Sequence, residues 1–268
     1  MSKKVFLKPK REKPFFFYHP WVFSGAVAFV DDDIKTGDFV NVFSSKGEFI
    51  GSGFFNEKSN ITVRLFSFTS NNISVEKLII KRIQDAINTR KTVYIKNHTN
   101  ACRLINAEGD FLPGLICDIY DKVLVVQLNS AGFIHRSEYL IEEIKNACKV
   151  YLNVDCSFII DKTPEKVFLL EGINRTKIVQ NNECLKDIAI LENGNVFNVD
   201  LIEGQKTGFY TDQRENRLLS ANTISGLTGL DCFSYTGGFA IYLSKKNNVQ
   251  AIETSAKSCK IMEDNLKI

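Results

Sequence analysis

Long apolar runs are missing from this 268-residue chain. Nothing in it approaches the roughly 18 consecutive apolar residues that a membrane-spanning helix needs. The N-terminal segment, MSKKVFLKPKREKPFFF, is basic but has neither the apolar stretch nor the small-residue cleavage site of a secretory signal. Hydrophobic residues make up 44% of the chain and charged residues 24%, as in ordinary globular proteins. We therefore expect a cytoplasmic protein of two or three domains, with no membrane partner.

Paired cysteines and clustered histidines are also missing. The seven cysteines are odd in number and no two have C-x-x-C spacing, which argues against a disulfide framework or a zinc cluster. The three histidines, His19, His98 and His135, are dispersed along the chain. We expect no metal cofactor, and we expect the cysteines, including Cys232 and Cys259, to be packed apolar side chains.

The first zone, residues 1–73, alternates short β-like runs with glycine turns, for example GDFVNVFSSKGEFIGSGFF. Such a pattern predicts a small barrel, with a hairpin turn at Lys46-Gly47. The N-terminal end of this zone carries a run of basic residues that includes Lys8, Lys10 and Arg11. The run either meets nucleic-acid phosphates or is a solvated arm, and charge alone does not decide between them.

The second zone, residues 74–184, opens with a predicted helix capped by Ser74, whose apolar residues recur at helical spacing from Leu78 to Ile87. Strand-like runs follow in CRLINAEG, LPGLICDIY and KVLVVQLNS, then a helical segment, HRSEYLIEEIKNACK, then further strand-like runs in CSFIID and KVFLLEG. This order predicts a compact α+β domain.

The third zone, residues 185–268, begins with a predicted hairpin, IAILENGNVFNVDLIEG, that turns at Asn193-Gly194-Asn195. A strand, a glycine loop, a helix and a second strand follow in LTGLDCFSYTGGFAIYLSKKNNVQAIETS. Together they predict the start of a doubly wound parallel sheet, here incomplete. The fold class is therefore mixed α/β.

The glycine loop carries the strongest functional signal. Ser-Tyr-Thr-Gly-Gly-Phe does not have the G-x-G-x-x-G spacing of a dinucleotide site, and no P-loop motif occurs. Asp231 at the first strand end suits an amino group, and Glu253, about 20 residues on, suits the ribose hydroxyls of an adenosine. This pair indicates S-adenosylmethionine. An ordinary glycine turn followed by a chance glutamate is the alternative.

A second signal is the segment Gly204–Arg217, GQKTGFYTDQRENR. Its aromatic residues, Phe209 and Tyr210, suit the wall of a cofactor pocket, and its basic residues, Lys206, Arg214 and Arg217, suit RNA phosphates. The same residues also fit the start of a helix capped by Thr211 or Asp212. Both interpretations can hold at once.

These motifs resemble one family. LDCFSYTGGFA, AIETS and GQKTGFYTDQRENR are similar to class I methyltransferases that form 5-methylcytosine in large-subunit (23S) ribosomal RNA, and HPWVFSGAV resembles that family's RNA-binding PUA domain. The resemblance implies S-adenosylmethionine as cofactor and ribosomal RNA as partner. It implies cofactor-site roles for Asp231, Phe233, Ser234, Tyr235, Gly237, Gly238 and Glu253, with Gln205, Lys206, Thr207, Gly208 and Phe209 beside them. RNA contacts are expected from Lys8, Lys10, Arg11, His19, Trp21, Arg214 and Arg217.

The resemblance also implies a covalent mechanism. In this family a cysteine thiolate adds to carbon 6 of cytosine, carbon 5 attacks the sulfonium methyl, and a base removes the proton from carbon 5. The family's D-P-P motif and its catalytic cysteine do not occur in this sequence. We therefore expect a C-terminally truncated chain that holds no catalytic residue and does not complete methyl transfer by itself.

Two other functions remain open from the sequence. The chain can be a non-enzymatic RNA-binding module, in which the barrel and the basic arm bind RNA while the short parallel sheet is inert. A nicotinamide-dependent oxidoreductase shares the strand-loop-helix topology, but its glycine spacing does not match.

Overall fold

The first domain is built on one six-stranded sheet. The computed structural model describes residues 3–69, 74–96, 98–174 and 188–268. The strands are β1 (Lys3–Leu7), β2 (Trp21–Phe23), β3 (Val27–Val30), β4 (Phe39–Phe43), β5 (Phe49–Phe55) and β6 (Ile61–Ser67), in the spatial order β2-β6-β5-β4-β1-β3. The pairing register shifts in four of the strand pairs, and such bulges bend a sheet around its core. The predicted turn at Lys46-Gly47 does join β4 to β5, with Gly47 at φ +83°.

The second domain begins with α1 (Val75–Lys96). In its first turn the Leu78 N–H donates to the Ser74 carbonyl at 3.0 Å. A four-stranded sheet follows, formed by β7 (Ala101–Asn106), β8 (Leu115–Tyr120), β9 (Val123–Leu128) and β10 (Phe158–Asp161), in the order β10-β9-β8-β7. The helices α2 (Ala131–Ile134) and α3 (Ser137–Ala147) lie between β9 and β10. One face of the sheet packs on α1 and α3, where Ile79, Ile83 and Ile144 are buried. None of the described helices is long and apolar enough to cross a membrane.

The KVFLLEG segment corrects one prediction, because it forms a helix, α4 (Glu165–Glu171), rather than a strand. Pro164 precedes the helix in an extended conformation, and Gly172 ends it at φ +65°. Val167 and Phe168 are buried while Leu169 is 84% exposed, which is a helical pattern and not a strand alternation. The apolar run alone fits either a strand or a helix, whereas Pro164 and Gly172 are typical of the start and the end of a helix.

The third domain starts with the predicted hairpin, β11 (Ile188–Glu192) and β12 (Asn195–Val199). It continues through α5 (Arg214–Thr223), β13 (Thr228–Cys232), α6 (Gly238–Ser244), β14 (Asn248–Ile252) and α7 (Ala256–Asn265). The strands β13 and β14 are parallel and form a two-stranded sheet. The predicted domain boundary at residue 184 lies outside the described residues, as does Cys184, and the boundary at residue 73 borders such a segment. Both boundaries stay predictions.

The second face of the central sheet packs against this third domain. Tyr120 and Val125 from the sheet share a core with Phe197, Phe209 and other residues of the third domain. Burial on both faces explains why the strand runs of the central domain are almost continuously apolar. The central sheet therefore supports the segment that holds Phe209, which is part of the candidate site.

A buried carboxylate also joins the first domain to the second. Glu171 of α4 accepts from Asn56 Nδ2 at 2.8 Å, from the Ala131 N–H at 2.9 Å and from Arg64 at 2.9 Å. Its side chain is only 3% exposed. Trp21 Nε1 donates to Glu108 Oε1 at 2.9 Å and adds a second polar contact between the two domains. These contacts fix the β domain against the central domain.

Candidate functional site

The candidate site forms at the carboxyl ends of β13 and β14. The two strands pair in register, with Asp231 opposite Ala251 and Cys232 opposite Ile252. The loop after β13 adopts left-handed backbone at Phe233 (φ +60°), Tyr235 (φ +51°) and Gly237 (φ +83°). Non-glycine residues in this conformation are strained, and such strain concentrates at ligand sites. The loop leads directly into α6.

Glu253 anchors this loop. Its Oε2 accepts from the Tyr235 N–H at 2.9 Å, and its Oε1 accepts from the N–H groups of Thr254 at 2.8 Å and Ser255 at 2.9 Å. The hydrogen bond from Ser255, followed by those from Tyr235 and Thr254, lowers the pKa of Glu253 below its usual value. The carboxylate is therefore ionised at neutral pH.

Asp231 makes a different contact. Its Oδ2 accepts from the Ala240 N–H in the first turn of α6 at 3.1 Å, and its carbonyl accepts from Ser234 Oγ at 2.7 Å. Burial raises the pKa of the Asp231 carboxyl. In this structure Asp231 holds the loop to the helix N-terminus, where a negative charge is favourable. The predicted contact with an amino group stays a prediction.

The Gly204–Arg217 segment closes the site from the opposite side. Tyr235 Oη accepts from the Gln205 N–H at 2.9 Å and donates to the Gly208 carbonyl at 3.2 Å, which ties the glycine loop to this segment. Thr207 is 1% exposed. It donates to Asp118 of the central sheet and shares a 2.8 Å hydrogen bond with the Tyr120 hydroxyl. The central domain thus positions one wall of the site.

Between the segment and the loop lies a cavity of about 420 Å³, which we call the loop cavity. Seven residues predicted to bind the cofactor line it: Gln205, Phe209, Phe233, Ser234, Tyr235, Gly238 and Glu253. Five other predicted residues lie within two positions of a wall residue in the chain but are not part of the walls: Lys206, Thr207, Gly208, Asp231 and Gly237. Four further wall residues, Gln213, Thr236, Phe239 and Thr254, were not predicted, although each falls within one of the motifs GQKTGFYTDQRENR, LDCFSYTGGFA and AIETS.

Arg217 corrects an RNA assignment. Its side chain is 2% exposed, and Nε and Nη2 donate to the two carboxylate oxygens of Glu192 at 2.8 and 2.7 Å. The guanidinium also lies 4.7 Å from the Phe209 ring centroid and borders the loop cavity. A group so enclosed offers no surface to an RNA phosphate, and Arg217 belongs instead to the wall of the loop cavity.

Two further sequence expectations are corrected nearby. Cys232 is exposed and not packed, although Cys102, Cys117, Cys148 and Cys156 are buried as expected. Neither Thr211 nor Asp212 caps α5, because both lie in a 3-10 turn, Thr211–Gln213, that leads into the helix. The Gly204–Arg217 segment is held instead by contacts with Asp118 of β8 and Glu192 of β11.

The first domain presents an aromatic cavity of about 380 Å³, which we call the aromatic pocket. Its walls include Arg11, His19, Trp21 and Phe23. Lys8 and Lys10 precede Arg11 on the same exposed segment, and Lys8 Nζ donates to the Gly25 carbonyl at 3.1 Å. The structure thus brings five predicted RNA contacts to one surface. Arg214, the remaining one, lies elsewhere, in a cleft beside the 205–217 segment.

Known proteins place this arrangement in a family. Residues 5–68 match the family model of the PUA-like domain. Ribosomal RNA large subunit methyltransferase I of Alteromonas mediterranea is 36% identical over 90% of this chain and 59% of its own length. The protein of the same name from Yersinia pseudotuberculosis is 33% identical over all of this chain and 67% of its own length.

The chain belongs to the ribosomal RNA large subunit methyltransferase I family. This confirms the family resemblance that the sequence indicated. The chain spans 59% of the length of the Alteromonas relative, and 62% of that from Photobacterium profundum, so it corresponds to part of these relatives.

Solved structures agree with the family assignment at the level of fold. A protein from Streptococcus mutans, described as a SAM-dependent methyltransferase, matches all of this chain and 67% of its own length with a TM-score of 0.74. A second structure with the same TM-score is a methyltransferase complexed with SAH. Both are 21% identical to this chain, and they confirm the expected mixed α/β fold, in which a Rossmann-like fold follows the PUA-like β domain.

Proposed function

We propose that the loop cavity binds S-adenosylmethionine and that the protein serves methylation of large-subunit ribosomal RNA in the cytoplasm, at carbon 5 of cytosine. The observation that carries the proposal is the cavity itself. It lies at the carboxyl ends of two parallel strands, where α/β proteins bind nucleotides, and Glu253 at the second strand end is one of its walls.

The walls of the loop cavity fit this cofactor. Phe209 and Tyr210 line one side of the cavity, and Phe233 lines the other. Phe233 is 87% exposed, so its ring offers a face against which an adenine can pack. The buried Thr236 Oγ1 has no hydrogen-bond partner within the described residues. Glu253 is ionised and close to the surface, which suits hydroxyl donors. In this proposal Glu253 meets the ribose. The loop amides hold the methionine end together with Asp231, which is not a wall residue but lies two residues before the wall residue Phe233.

The chemistry divides between cofactor and protein. When bound, S-adenosylmethionine supplies an electrophilic methyl group on a sulfonium. The chain's own residues align the cofactor. The glycine loop forms one wall of the cavity, and the hydrogen bonds of Tyr235 hold that loop against the Gly204–Arg217 segment. Alignment of this kind removes much of the entropic barrier to a bimolecular transfer. The aromatic pocket and the basic arm would hold the RNA.

Neither Cys102 nor Cys117 provides a suitable nucleophile. Burial raises the pKa of Cys102 to about 12 and places that of Cys117 well above its usual value, so both remain neutral thiols. A thiolate is the reactive form. Cys259 donates to the Glu253 carbonyl at 3.4 Å, below the cavity loop. We propose that residues 1–268 supply binding and alignment, and that a polypeptide of these residues alone does not complete the transfer.

Two measurements test the proposal on the 268-residue chain. Isothermal titration with S-adenosylhomocysteine should give saturable one-site binding. The control variant Glu263→Gln replaces an exposed carboxylate on α7 and should leave this binding unchanged. Transfer of a labelled methyl group to unmodified large-subunit ribosomal RNA should not be detected. RNA binding without any cofactor affinity would instead support a pure RNA-binding module. Robust transfer would refute the division of roles.

A further inference from the structure

A second cavity borders the loop cavity along the Gly204–Arg217 segment, and Phe209 lines both. It has a volume of about 480 Å³, and we call it the basic cleft. Its walls are Arg90, Val93, Cys102, Arg103, Asn106, Lys206, Phe209, Thr211, Asp212 and Arg214. Four of these ten side chains are cations and one is a carboxylate. The walls therefore hold more positive than negative side chains, and the carboxylate partners of three of the cations lie outside the walls.

Carboxylates behind the wall hold two of the cations. Arg103 donates from Nε and Nη2 to Asp118 at 2.8 and 3.1 Å, and the Asp118 side chain is 1% exposed. Arg90 donates to Asp110 at 2.6 Å, and that carboxylate is 10% exposed. Each contact uses only part of the guanidinium, which has five N–H donors in a rigid fork. Both groups are thus fixed in place with donors left for an anion in the cleft.

The other two cations come from the Gly204–Arg217 segment itself. Lys206 Nζ pairs with Asp212 at 2.9 Å, and Arg214 Nε pairs with Glu215 at 3.0 Å. The carboxylate partners are 58% and 65% exposed, so water screens the acidic side of each pair, while the Lys206 side chain is 41% and the Arg214 side chain 11% exposed. A phosphate can take over such a contact at little cost, because neither carboxylate would be left buried and unpaired.

The two cavities are neighbours along the chain. Phe209 lines both of them. Gln205 and Gln213 line the loop cavity, while the next residues, Lys206 and Arg214, line the basic cleft. An RNA strand that presents a base to a methyl donor in the loop cavity would therefore carry its adjoining phosphates to these cations.

We infer that the basic cleft binds backbone phosphates of the substrate RNA next to the target nucleotide, with Arg90 and Arg103 of the central domain acting together with Lys206 and Arg214. The inference rests on the proposed function of the loop cavity. It gives the central domain an RNA contact of its own, separate from the aromatic pocket. Such contacts would fix the register of the RNA without reading its sequence.

The test uses a double variant, Lys206→Gln with Arg214→Gln, whose partner carboxylates are exposed and are not left as buried charges. Because the Arg214 side chain is only 11% exposed, circular dichroism checks that the fold persists. The matched control, Lys145→Gln with Lys267→Gln, makes the same charge change at side chains that are 36% and 72% exposed and lie outside the cleft. Binding of unmodified large-subunit ribosomal RNA is measured by filter retention over a series of salt concentrations, and binding of S-adenosylhomocysteine by calorimetry.

The cleft variant should lose about tenfold or more in RNA affinity at low salt, and the slope of log K against log salt should fall by about 1.5. The control should change neither quantity. Arg214→Lys should retain much more of the RNA affinity than Arg214→Gln, because a cation remains. Equal RNA affinity and equal slope in the cleft variant and the control would overturn the inference.

The cofactor measurement separates this inference from the proposed function. If the unaltered chain does not bind S-adenosylhomocysteine, the proposed function fails, whatever the RNA result. If it binds, and the cleft variant loses cofactor affinity while RNA affinity is unchanged, the cleft belongs to the cofactor and the inference is overturned. Loss of RNA affinity with unchanged cofactor affinity supports it.

Discussion

Arg217 and Glu192 form a bidentate ion pair in the interior of the third domain, and each side chain is 2% exposed. Glu192 ends β11, and its Oε1 also accepts from the Tyr242 hydroxyl of α6 at 3.1 Å. Arg217 Nη2 additionally donates to the Tyr210 carbonyl at 3.1 Å. The pair thus connects the hairpin, two helices and the Gly204–Arg217 segment that lines the loop cavity.

Removal of one partner from this pair should destabilise the protein strongly. We expect Arg217→Met to lower the free energy of unfolding by about 3–5 kcal/mol, because Glu192 would remain as an uncompensated buried charge. Urea denaturation followed by circular dichroism measures the change. As a control, Lys81→Met removes an exposed pair with Asp85 and should cost at most about 1 kcal/mol. Equal stabilities of Arg217→Met and the unaltered chain would contradict the structural role.

Glu253→Gln should weaken cofactor binding more than it weakens the fold. We expect a loss of about tenfold or more in affinity for S-adenosylhomocysteine, since charged hydrogen bonds contribute about 1.5–3 kcal/mol. Calorimetry on this variant, with Glu263→Gln as the control, measures it. An unchanged affinity would remove Glu253 from the site.

The pH dependence follows from the same carboxylate. Its pKa is lowered in the folded chain by the backbone N–H donors, Ser255 first. The stability that ionised Glu253 contributes to the fold is therefore fully present above the pKa of an unfolded glutamate, about 4.3. It is lost as pH falls through the lower pKa of Glu253 in the folded chain. Cofactor affinity should show no step due to Glu253 between pH 8 and 6, and a step there that disappears in Glu253→Gln would contradict the assignment.

Gly237→Ala should affect both stability and the loop cavity. Gly237 has φ +83°, and an added Cβ would lie 2.7 Å from Met262 Cγ. We expect a cost of about 1–2 kcal/mol from the left-handed backbone, together with weaker binding of S-adenosylhomocysteine. Gly194→Ala is the matched control, since Gly194 has φ +78° with open space around it. Its stability cost should be that of the left-handed backbone alone, with cofactor affinity unchanged. A parallel loss of affinity in both variants would argue against a local role for Gly237.

Phe23→Ala should reduce RNA affinity if bases stack in the aromatic pocket. Phe23 is 47% exposed, and stacking of a base on an aromatic side chain contributes about 1–3 kcal/mol. Filter binding with ribosomal RNA measures the loss. Phe29→Ala is the control, because Phe29 is 53% exposed on the same domain but outside the pocket walls. Equal affinities of the two variants would place the RNA elsewhere.

The sequence by itself determined those features that depend on neighbouring residues. The helix after Ser74, the hairpin at Asn193-Gly194 and the strand-loop-helix unit around Gly237 follow from local periodicity and turn chemistry, and the structure has all three. The exposed wall of the loop cavity, including Glu253, was also readable, because its polar groups stand at strand ends.

Only the tertiary structure decided which polar side chains face inward. Arg217 and Thr207 have the residue types of ligand-binding groups, yet their partners, Glu192 and Asp118, lie 25 and 89 residues away in the chain. The KVFLLEG run is a different case, because Pro164 before it and Gly172 at its end were local signals of a helix. Burial of a charge depends on a partner that folding brings near, and no local pattern contains that partner.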